Sequence, residues 1–162
     1  MSDSINLYLG VPAGVWVQTS IFVLSAFIAI YTLWNNEKQA KRRATIDLVL
    51  METQDQRIRE YKEKFATMRD SEENFTMLAC HSMTENIEKN EAILALLNHY
   101  EFIATGVFEG ALDEAIYKRM KRSLIIRDWH TLQPYVVELR RKESRPQLFV
   151  ELEKLARKWE KG

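Results

Sequence analysis

Residues 15–34 read VWVQTSIFVLSAFIAIYTLW, twenty mostly apolar positions without a single charged side chain. The uncharged window is wider still and runs from Ser4 to Asn36. Because an α-helix rises about 1.5 Å per residue, twenty residues span roughly 30 Å, the thickness of the hydrocarbon core of a bilayer. The rest of the chain is too small to wrap such a helix on all sides. The sequence therefore predicts a transmembrane helix over residues 14–35 rather than a buried core helix.

The flanks of this segment favour an uncleaved membrane anchor. Trp16 and Trp34 lie near its two ends, where amphipathic aromatic side chains prefer the headgroup region. A cleaved signal peptide is the alternative, and it would place a basic segment before a shorter apolar run. Here only the acidic Asp3 precedes a long apolar run. We predict that residues 1–13 form a short extracytoplasmic tail.

Positive charge lies on one side of the predicted span. No Lys or Arg precedes it, and four basic residues follow it closely: Lys38, Lys41, Arg42 and Arg43. Since cytoplasmic flanks are rich in Lys and Arg, we expect a translocated N-terminus and a cytoplasmic C-terminal domain at the bacterial inner membrane. The same four residues suit anionic lipid headgroups, at about 1 kcal/mol per charge near the surface.

The charge and cysteine content of the remaining chain argues against several classes of function. All 23 Lys and Arg residues and 22 of the 23 acidic residues follow Trp34, so this part is nearly neutral. That balance argues against nucleic acid as a partner, because nucleic-acid-binding domains normally carry a strongly basic face. Cys80 is the single cysteine, and no Gly-rich phosphate loop occurs. We therefore expect no disulfide framework, no cysteine metal site and no cofactor.

Everything after the span has the composition of helices, and strand signals are missing. We predict an all-α fold, in which the transmembrane helix is followed by a cytoplasmic bundle of four or five helices. Residues 36–70 contain no Gly or Pro and carry apolar residues at three- and four-residue steps, which predicts a juxtamembrane helix. In the alternative, the transmembrane helix continues into this segment as one long helix. The helical bundle itself is expected over residues 71–162.

Capping residues predict the helix ends in the first half of the bundle. Ser71 is the expected N-cap of a short helix that reaches Cys80. A central helix, apolar around much of its circumference, is predicted over about 84–108. Gly110 is expected to end it in the left-handed conformation, and Asp113 is expected to cap the helix that follows.

Two further helix starts are predicted in the second half of the bundle. Pro134 suits the first turn of a helix, so one helix is expected to begin near Leu132. Ser144 and Pro146 repeat that signal and predict the start of a final amphipathic helix.

The central helix and its end have the most unusual polar content of the chain. Asn98, Glu101 and Asp113 lie among apolar residues and are candidate buried polar groups. An ionised Glu101 in a core is costly unless it is paired or hydrogen-bonded. We expect it to hold an Arg or a backbone group of a neighbouring helix, and a functional surface is the alternative.

The basic residues of the C-terminal half offer one possible nuclease site. Small helical bundles that cut RNA often carry an Arg followed a few residues later by a His. Arg122 is too far from His130 for that pattern, and Arg127 is too close. A catalytic His also needs an acid, base or phosphate clamp within hydrogen-bond reach. We predict no catalytic residue and keep these three as the alternative.

The predicted span carries one seam of small and polar residues, Gln18, Ser25, Ala29 and Thr32. Gln18, Ser25 and Thr32 recur every seven residues, and Ala29 follows Ser25 by four. Such a seam lets transmembrane helices approach closely and hydrogen-bond to each other, which predicts a homo-oligomer. In the alternative, the hydroxyl groups bond only to carbonyl groups of their own helix.

Three strings in the C-terminal half and one beside the span carry a family resemblance. They are LNHYEFIATGVFEGALDEAIYKRM at 97–120, RDWHTLQPYVVELRRK at 127–142, RPQLFVELEKLARKWE at 145–160 and KRRATIDLVL at 41–50. The chain resembles, over most of residues 10–160, a bacterial and prophage family of small single-pass membrane proteins with a domain of unknown function. That resemblance implies no established activity.

The layout of one N-terminal span and a helical bundle is also similar to another group of proteins. These are the pore-forming, nuclease-like helical accessory proteins of RNA-targeting CRISPR systems. The spacing of Arg122, Arg127 and His130 departs from their nuclease pattern and argues against RNA cleavage.

These observations lead to one expected function and one alternative. We expect a non-enzymatic interaction protein of the inner membrane, which binds itself through the span and an unidentified cytoplasmic protein through the bundle. Its prophage resemblance suggests phage exclusion or antiviral defence. The alternative is a membrane-anchored RNase-like effector or pore-forming accessory protein with a degenerate Arg/His site.

Overall fold

The structure, a computed structural model, describes residues 7–8, 11–80 and 86–162. The chain divides into two compact units, residues 1–40 and 41–162. The elements are β1 (Leu7–Tyr8), β2 (Val11–Pro12), α1 (Ala13–Gln54), α2 (Gln56–Asp70), α3 (Phe75–Cys80), α4 (Ile87–Phe108), α5 (Glu114–Glu143) and α6 (Val150–Glu160). The predicted fold is confirmed: a long apolar N-terminal helix is followed by a helical bundle.

The first unit contains a small hairpin and the apolar part of α1. In the hairpin, β1 and β2 are antiparallel, with Leu7 opposite Pro12 and Tyr8 opposite Val11. This pair of strands has no counterpart among the elements predicted from the sequence. The large apolar side chains between Val15 and Trp34 are 46–69% exposed. By length and composition, α1 is suited to cross a membrane once.

The predicted juxtamembrane helix of residues 36–70 is two helices, because α1 ends at Gln54 and α2 begins at Gln56. Asp55 lies between them with an extended backbone, and its carboxylate accepts hydrogen bonds from the amides of Arg57 and Ile58 at 2.8 and 3.2 Å. An Asp at this position satisfies amides that a helix start leaves unpaired. The interruption thus has a local cause.

The predicted role of Ser71 is wrong. Ser71 is the C-cap of α2, and its hydroxyl donates to the carbonyl groups of Thr67 and Met68. The short α3 begins four residues later, where the Asn74 side chain accepts from the amide of Met77 at 3.1 Å. Serine and asparagine both bond to nearby backbone groups, so either residue is suited to a helix end. The predicted start of the central helix near residue 84 lies outside the described residues.

The core of the second unit is built mainly on α4. α2 and α6 both pack against α4, while α3 and α6 pack against α5. The largest fully buried side chains are Trp159, Tyr100, Tyr117, Tyr135, Phe65, Ile93, Leu96, Leu97, Ile103, Ile125, Leu132 and Leu152. The aromatic residues among them bury large areas and anchor the packing of α2, α4, α5 and α6.

The predicted helix start near Leu132 is wrong, because α5 continues through Pro134. A proline inside a helix removes one backbone hydrogen bond and costs about 3 kcal/mol. Leu132, Tyr135 and Val136 are all buried beside it. Burying a large apolar side chain contributes about 1.5–3 kcal/mol, so the packing of these neighbours offsets the cost of the proline.

Of the predicted helix caps Gly110, Asp113 and Ser144, the first two lie where they were predicted. Gly110 has a left-handed backbone with φ +69°, and Asp113 caps α5 by accepting from the amide of Ile116 at 3.1 Å. Both predictions are confirmed. Ser144, predicted to start the last helix, is instead the C-cap of α5 in a left-handed conformation with φ 53°. The chain then needs five more residues before α6 begins at Val150.

Candidate functional site

The side chain of Glu52 lies where four helices of the second unit meet. On the second part of α1, Thr45, Leu48, Val49 and Glu52 recur at three- and four-residue steps and are buried, so they form one face of the helix. Leu48 and Val49 are aliphatic, and the Thr45 hydroxyl donates to the carbonyl of Lys41 at 2.8 Å. The fourth is a carboxylate that is only 1% exposed.

Four polar groups surround the Glu52 carboxylate, from α2, α4 and α5. The Oε1 atom lies 2.8 Å from His99 Nε2 and accepts a hydrogen bond from the Tyr117 hydroxyl at 2.9 Å. The Oε2 atom lies 3.1 Å from Lys121 Nζ and 3.5 Å from Lys62 Nζ. We call these five residues the Glu52 cluster.

The cluster keeps Glu52 ionised. Burial alone would raise the pKa of Glu52, but the hydrogen bond from His99 and the charges of Lys62 and Lys121 lower it from 4.5 to about 2. Burial and the charge of Glu52 raise the pKa of Tyr117 well above its usual 10, so Tyr117 stays a neutral donor. A carboxylate with so low a pKa is a poor proton donor at neutral pH. The cluster is therefore suited to a structural role, in which its hydrogen bonds and ion pairs hold α1 against α2, α4 and α5.

Two other buried tyrosines repeat this pattern. The Tyr100 hydroxyl donates to Asp128 Oδ2 at 2.8 Å, and the Tyr135 hydroxyl donates to Asn90 Oδ1 at 2.9 Å. Burial raises the pKa of Tyr135 to about 12. Each buried hydroxyl thus has a buried acceptor, as a low-dielectric core requires. Arg69 also lies 3.7 Å from the second oxygen of Asp128.

The buried polar groups differ from those predicted. Asn98 is exposed, so the prediction that it is buried is wrong: it lies on the opposite side of α4 from Leu96 and Leu97. Glu101 is half-buried, and its two carboxylate oxygens accept from the amides of Glu151 and Leu152 at 3.2 and 2.8 Å.

Glu101 thus caps α6 from a different helix. Phe149, the residue at the N-cap position of α6, makes no side-chain cap hydrogen bond. A carboxylate near a helix N-terminus satisfies free amides and interacts favourably with the helix dipole. Asp113 is also half-buried, and besides capping α5 it lies 3.5 Å from Arg42 while its amide donates to Thr45 Oγ1 at 2.8 Å.

The three residues of the alternative nuclease site make separate contacts. The Arg122 guanidinium donates twice to the carbonyl of Trp159, at 2.9 and 2.7 Å, near the end of α6. Arg127 bonds to its neighbour Asp128, and His130 pairs with Glu160. The Arg122 contact lies at the end of α6 and the His130 contact links α5 to α6, whereas Arg127 and Asp128 are neighbours within α5. Within the part of the chain that the structure describes, no group of three or more metal-binding side chains is assembled.

The predicted membrane-flank residues have different surroundings. In the first unit, Lys38 Nζ lies 5.8 Å from the centre of the Trp34 ring, within the range of a cation–π contact. In the second unit, Arg42 is half-exposed and paired with Asp113, Arg43 is exposed and Lys41 is partly buried.

All four seam residues, Gln18, Ser25, Ala29 and Thr32, are exposed. Ser25 donates to the carbonyl of Ile21 and Thr32 to that of Ile28, both at 2.8 Å. A hydroxyl bonded in this way has its donor paired within its own helix. Its oxygen lone pairs remain able to accept a hydrogen bond from another helix.

An apolar groove lies beside the core of the second unit. It has a volume of about 450 Å³ and is lined by residues that include Leu48, Met51, Phe102, Gly106 and Leu112. Phe102 is 66% exposed although it belongs to the strongly apolar α4. The apolar circumference of α4 is therefore not buried on every side, and Phe102 contributes an exposed apolar surface.

The signal that would have found Glu52 is present in the sequence. Glu52 lies four residues after Leu48 and three after Val49, so it continues their face of the helix. An acid on an apolar face suggests a buried partner of opposite charge. The identity of the partners depends on packing between distant segments.

No curated protein and no solved structure matches the chain. A domain of unknown function (DUF4760) matches residues 19–159, which include the apolar helix and nearly the whole bundle. The chain therefore belongs to the DUF4760 family.

Proposed function

We propose that this chain is a single-pass membrane protein that acts by binding, first of all to a second copy of itself. The observation that carries the proposal is the exposure of the apolar part of α1, where large side chains such as Leu33 and Phe27 are 69% and 67% exposed. The second unit has a complete core of its own. A fully exposed apolar helix of this length is stable in a bilayer and unfavourable in water.

The proposed orientation places the second unit in the cytoplasm of a bacterium and the N-terminus outside the inner membrane. It is supported by the basic residues Lys38, Lys41, Arg42 and Arg43, which all follow the span. These residues would also bind anionic headgroups. We also propose that the bundle binds an unidentified cytoplasmic protein.

Self-association is proposed to use the seam of Gln18, Ser25, Ala29 and Thr32. Between helices in lipid the hydrophobic effect contributes little, so close packing and interhelical hydrogen bonds supply the attraction. Small side chains permit the close approach, and most other residues of the span are bulky. The seam is therefore the face on which two copies would pack best.

Bulky substitution of the seam should reduce the oligomer. We expect Ser25→Leu with Ala29→Leu to lower the yield of dimer after chemical crosslinking in membranes, because leucine side chains keep the helix axes apart. The matched control is Phe27→Leu with Tyr31→Leu, two residues four apart on the opposite face of the helix. The control should crosslink like the parent. Equal yields from both double variants would contradict the seam.

Phage exclusion or another antiviral defence is the proposed biological role. It rests on the resemblance of the chain to a bacterial and prophage family of small membrane proteins, and not on any single residue. The seam variant should then protect cells less than the parent in a plaque assay. Equal plating of phages on cells with and without the parent chain would contradict this role.

A further inference from the structure

The second unit leaves one apolar face of α1 uncovered. Ile46 and Leu50 are 48% and 53% exposed, whereas Thr45, Val49 and Glu52 of the same helix are buried. At about 100° per residue, Ile46 and Leu50 lie close together on the helix surface and more than a quarter-turn away from the buried face. The bundle therefore does not use this face.

The spacing of these residues continues that of the seam. Ile46 follows Thr32 by fourteen residues, and Leu50 follows Ala29 by twenty-one. Both numbers are multiples of seven, the repeat that keeps one face of two supercoiled helices in contact. If Ala29 is assigned to heptad position a and Thr32 to d, Leu50 is also an a residue and Ile46 a d residue.

The charged residues beside this face are complementary in the same register. Arg42 precedes the a position at 43 and is a g residue, and Asp47 follows the d position at 46 and is an e residue. In a parallel pair of helices, a g residue faces the e residue five positions later on the partner. Arg42 would therefore face Asp47 of the second copy, twice by symmetry. Within the described chain Asp47 is exposed and belongs to none of the ion pairs.

We propose that the face of α1 from Arg42 to Thr53 binds the same face of a second copy as a short parallel coiled coil. The inference rests on the proposed self-association through the span, which brings two copies together with the same orientation. The pairing ends at Asp55, where α1 stops. Arg43 occupies an a position and weakens the contact. The span compensates by raising the effective concentration of one copy near the other.

Cysteine crosslinking tests this contact in membranes with the full chain. In a Cys80→Ser background, single variants Ile46→Cys, Leu50→Cys and Met51→Cys are oxidised, with Ser25→Cys as a reference in the span. A disulfide needs two Cα atoms about 4.4–6.8 Å apart, which a and d positions of a parallel pair approach. Met51 is the control because it is 54% exposed on another side of the helix.

We expect Ile46→Cys and Leu50→Cys to give roughly three-fold more disulfide dimer than Met51→Cys. If Ser25→Cys forms dimer while positions 46 and 50 do not exceed position 51, the coiled coil is ruled out and self-association through the span stands. If none of the four positions forms dimer, both proposals fail.

A charge exchange tests the register. Arg42→Asp should lower the dimer yield of Leu50→Cys, because it places two acidic residues against each other. Adding Asp47→Arg should restore the yield. The contact of Arg42 with Asp113 is lost in both variants, so restoration reports only the pair between two copies. Failure of the second change to restore the yield would overturn the parallel register.

Discussion

Glu52→Gln should lower the free energy of unfolding by about 3–5 kcal/mol, the usual cost of removing one partner of a buried ion pair. The glutamine keeps the size of the side chain but removes its charge. In the parent chain the Glu52 carboxylate lies 3.5 Å from Lys62 and 3.1 Å from Lys121. In the variant the two lysines share a partly buried site with His99 and have no carboxylate between them. Two positive charges in such a site repel each other and bind water poorly.

Urea unfolding of the full chain in detergent micelles measures this effect, with the fluorescence of the buried Trp129 and Trp159 as the signal. Glu63→Gln is the matched control, because Glu63 is an exposed acid on α2. It should change the free energy of unfolding by no more than about 0.5 kcal/mol. Equal stabilities of the two variants would contradict the role given to the Glu52 cluster.

The contribution of Glu52 to the free energy of unfolding should also depend on pH. Its pKa is lowered from 4.5 to about 2 in the folded chain, so its stabilising effect is fully present above the unfolded pKa. The effect is lost as the pH falls from 4.5 through about 2. We expect the stability difference between the parent and Glu52→Gln to narrow by about 3 kcal/mol as the pH falls from about 5 to about 2. A difference that does not change down to about pH 2 would contradict the low pKa.

Leu97→Ala should cost about 2–5 kcal/mol, the usual range for truncating a buried leucine. Leu97 is fully buried on α4, the helix against which α2 and α6 pack. The variant loses the transfer free energy of the removed atoms and leaves a cavity that tightly packed neighbours fill only in part. The same urea titration measures the loss.

Phe102→Ala is the control for Leu97→Ala. Phe102 lies on the same helix, and its truncation removes more apolar surface than that of Leu97. With 66% of its surface exposed, its truncation should change the free energy of unfolding far less than that of Leu97. A larger loss for Phe102→Ala than for Leu97→Ala would mean that the apolar face of α4 is assigned wrongly.

Sequence reasoning succeeded where the signal is local. An uncharged apolar run predicts a long exposed helix without reference to any neighbour. Gly110 and Asp113 were identified as helix ends because left-handed backbone and amide capping depend on a single residue type. Asp55 has the same kind of local signal, and it lies in a run of good helix formers that suggested one continuous helix.

Sequence reasoning failed where packing decides between two locally acceptable outcomes. Proline is common in the first turn of a helix, yet the buried side chains beside Pro134 keep α5 continuous. Ser144 is as acceptable at the end of α5 as at the start of α6. In each case the energies of the local alternatives differ by less than the contribution of the core around them.

The candidate site depends on contacts between distant segments. Glu52 and His99 are 47 residues apart, and Glu52 and Tyr117 are 65 apart. The sequence indicates that Glu101 needs a partner, and only the fold supplies the amides of Glu151 and Leu152. The polar residues of the core can thus be suspected from sequence, while their partners cannot be named from it.

The most direct test of membrane anchoring and of the proposed orientation is a pair of reporter fusions after Gly162. One reporter is active only in the cytoplasm, and the other only in the periplasm. Because Lys38, Lys41, Arg42 and Arg43 follow the span and no basic residue precedes it, we expect the cytoplasmic reporter to be active in the membrane fraction. An active periplasmic reporter, or cytoplasmic activity found only in the soluble fraction, would contradict the account.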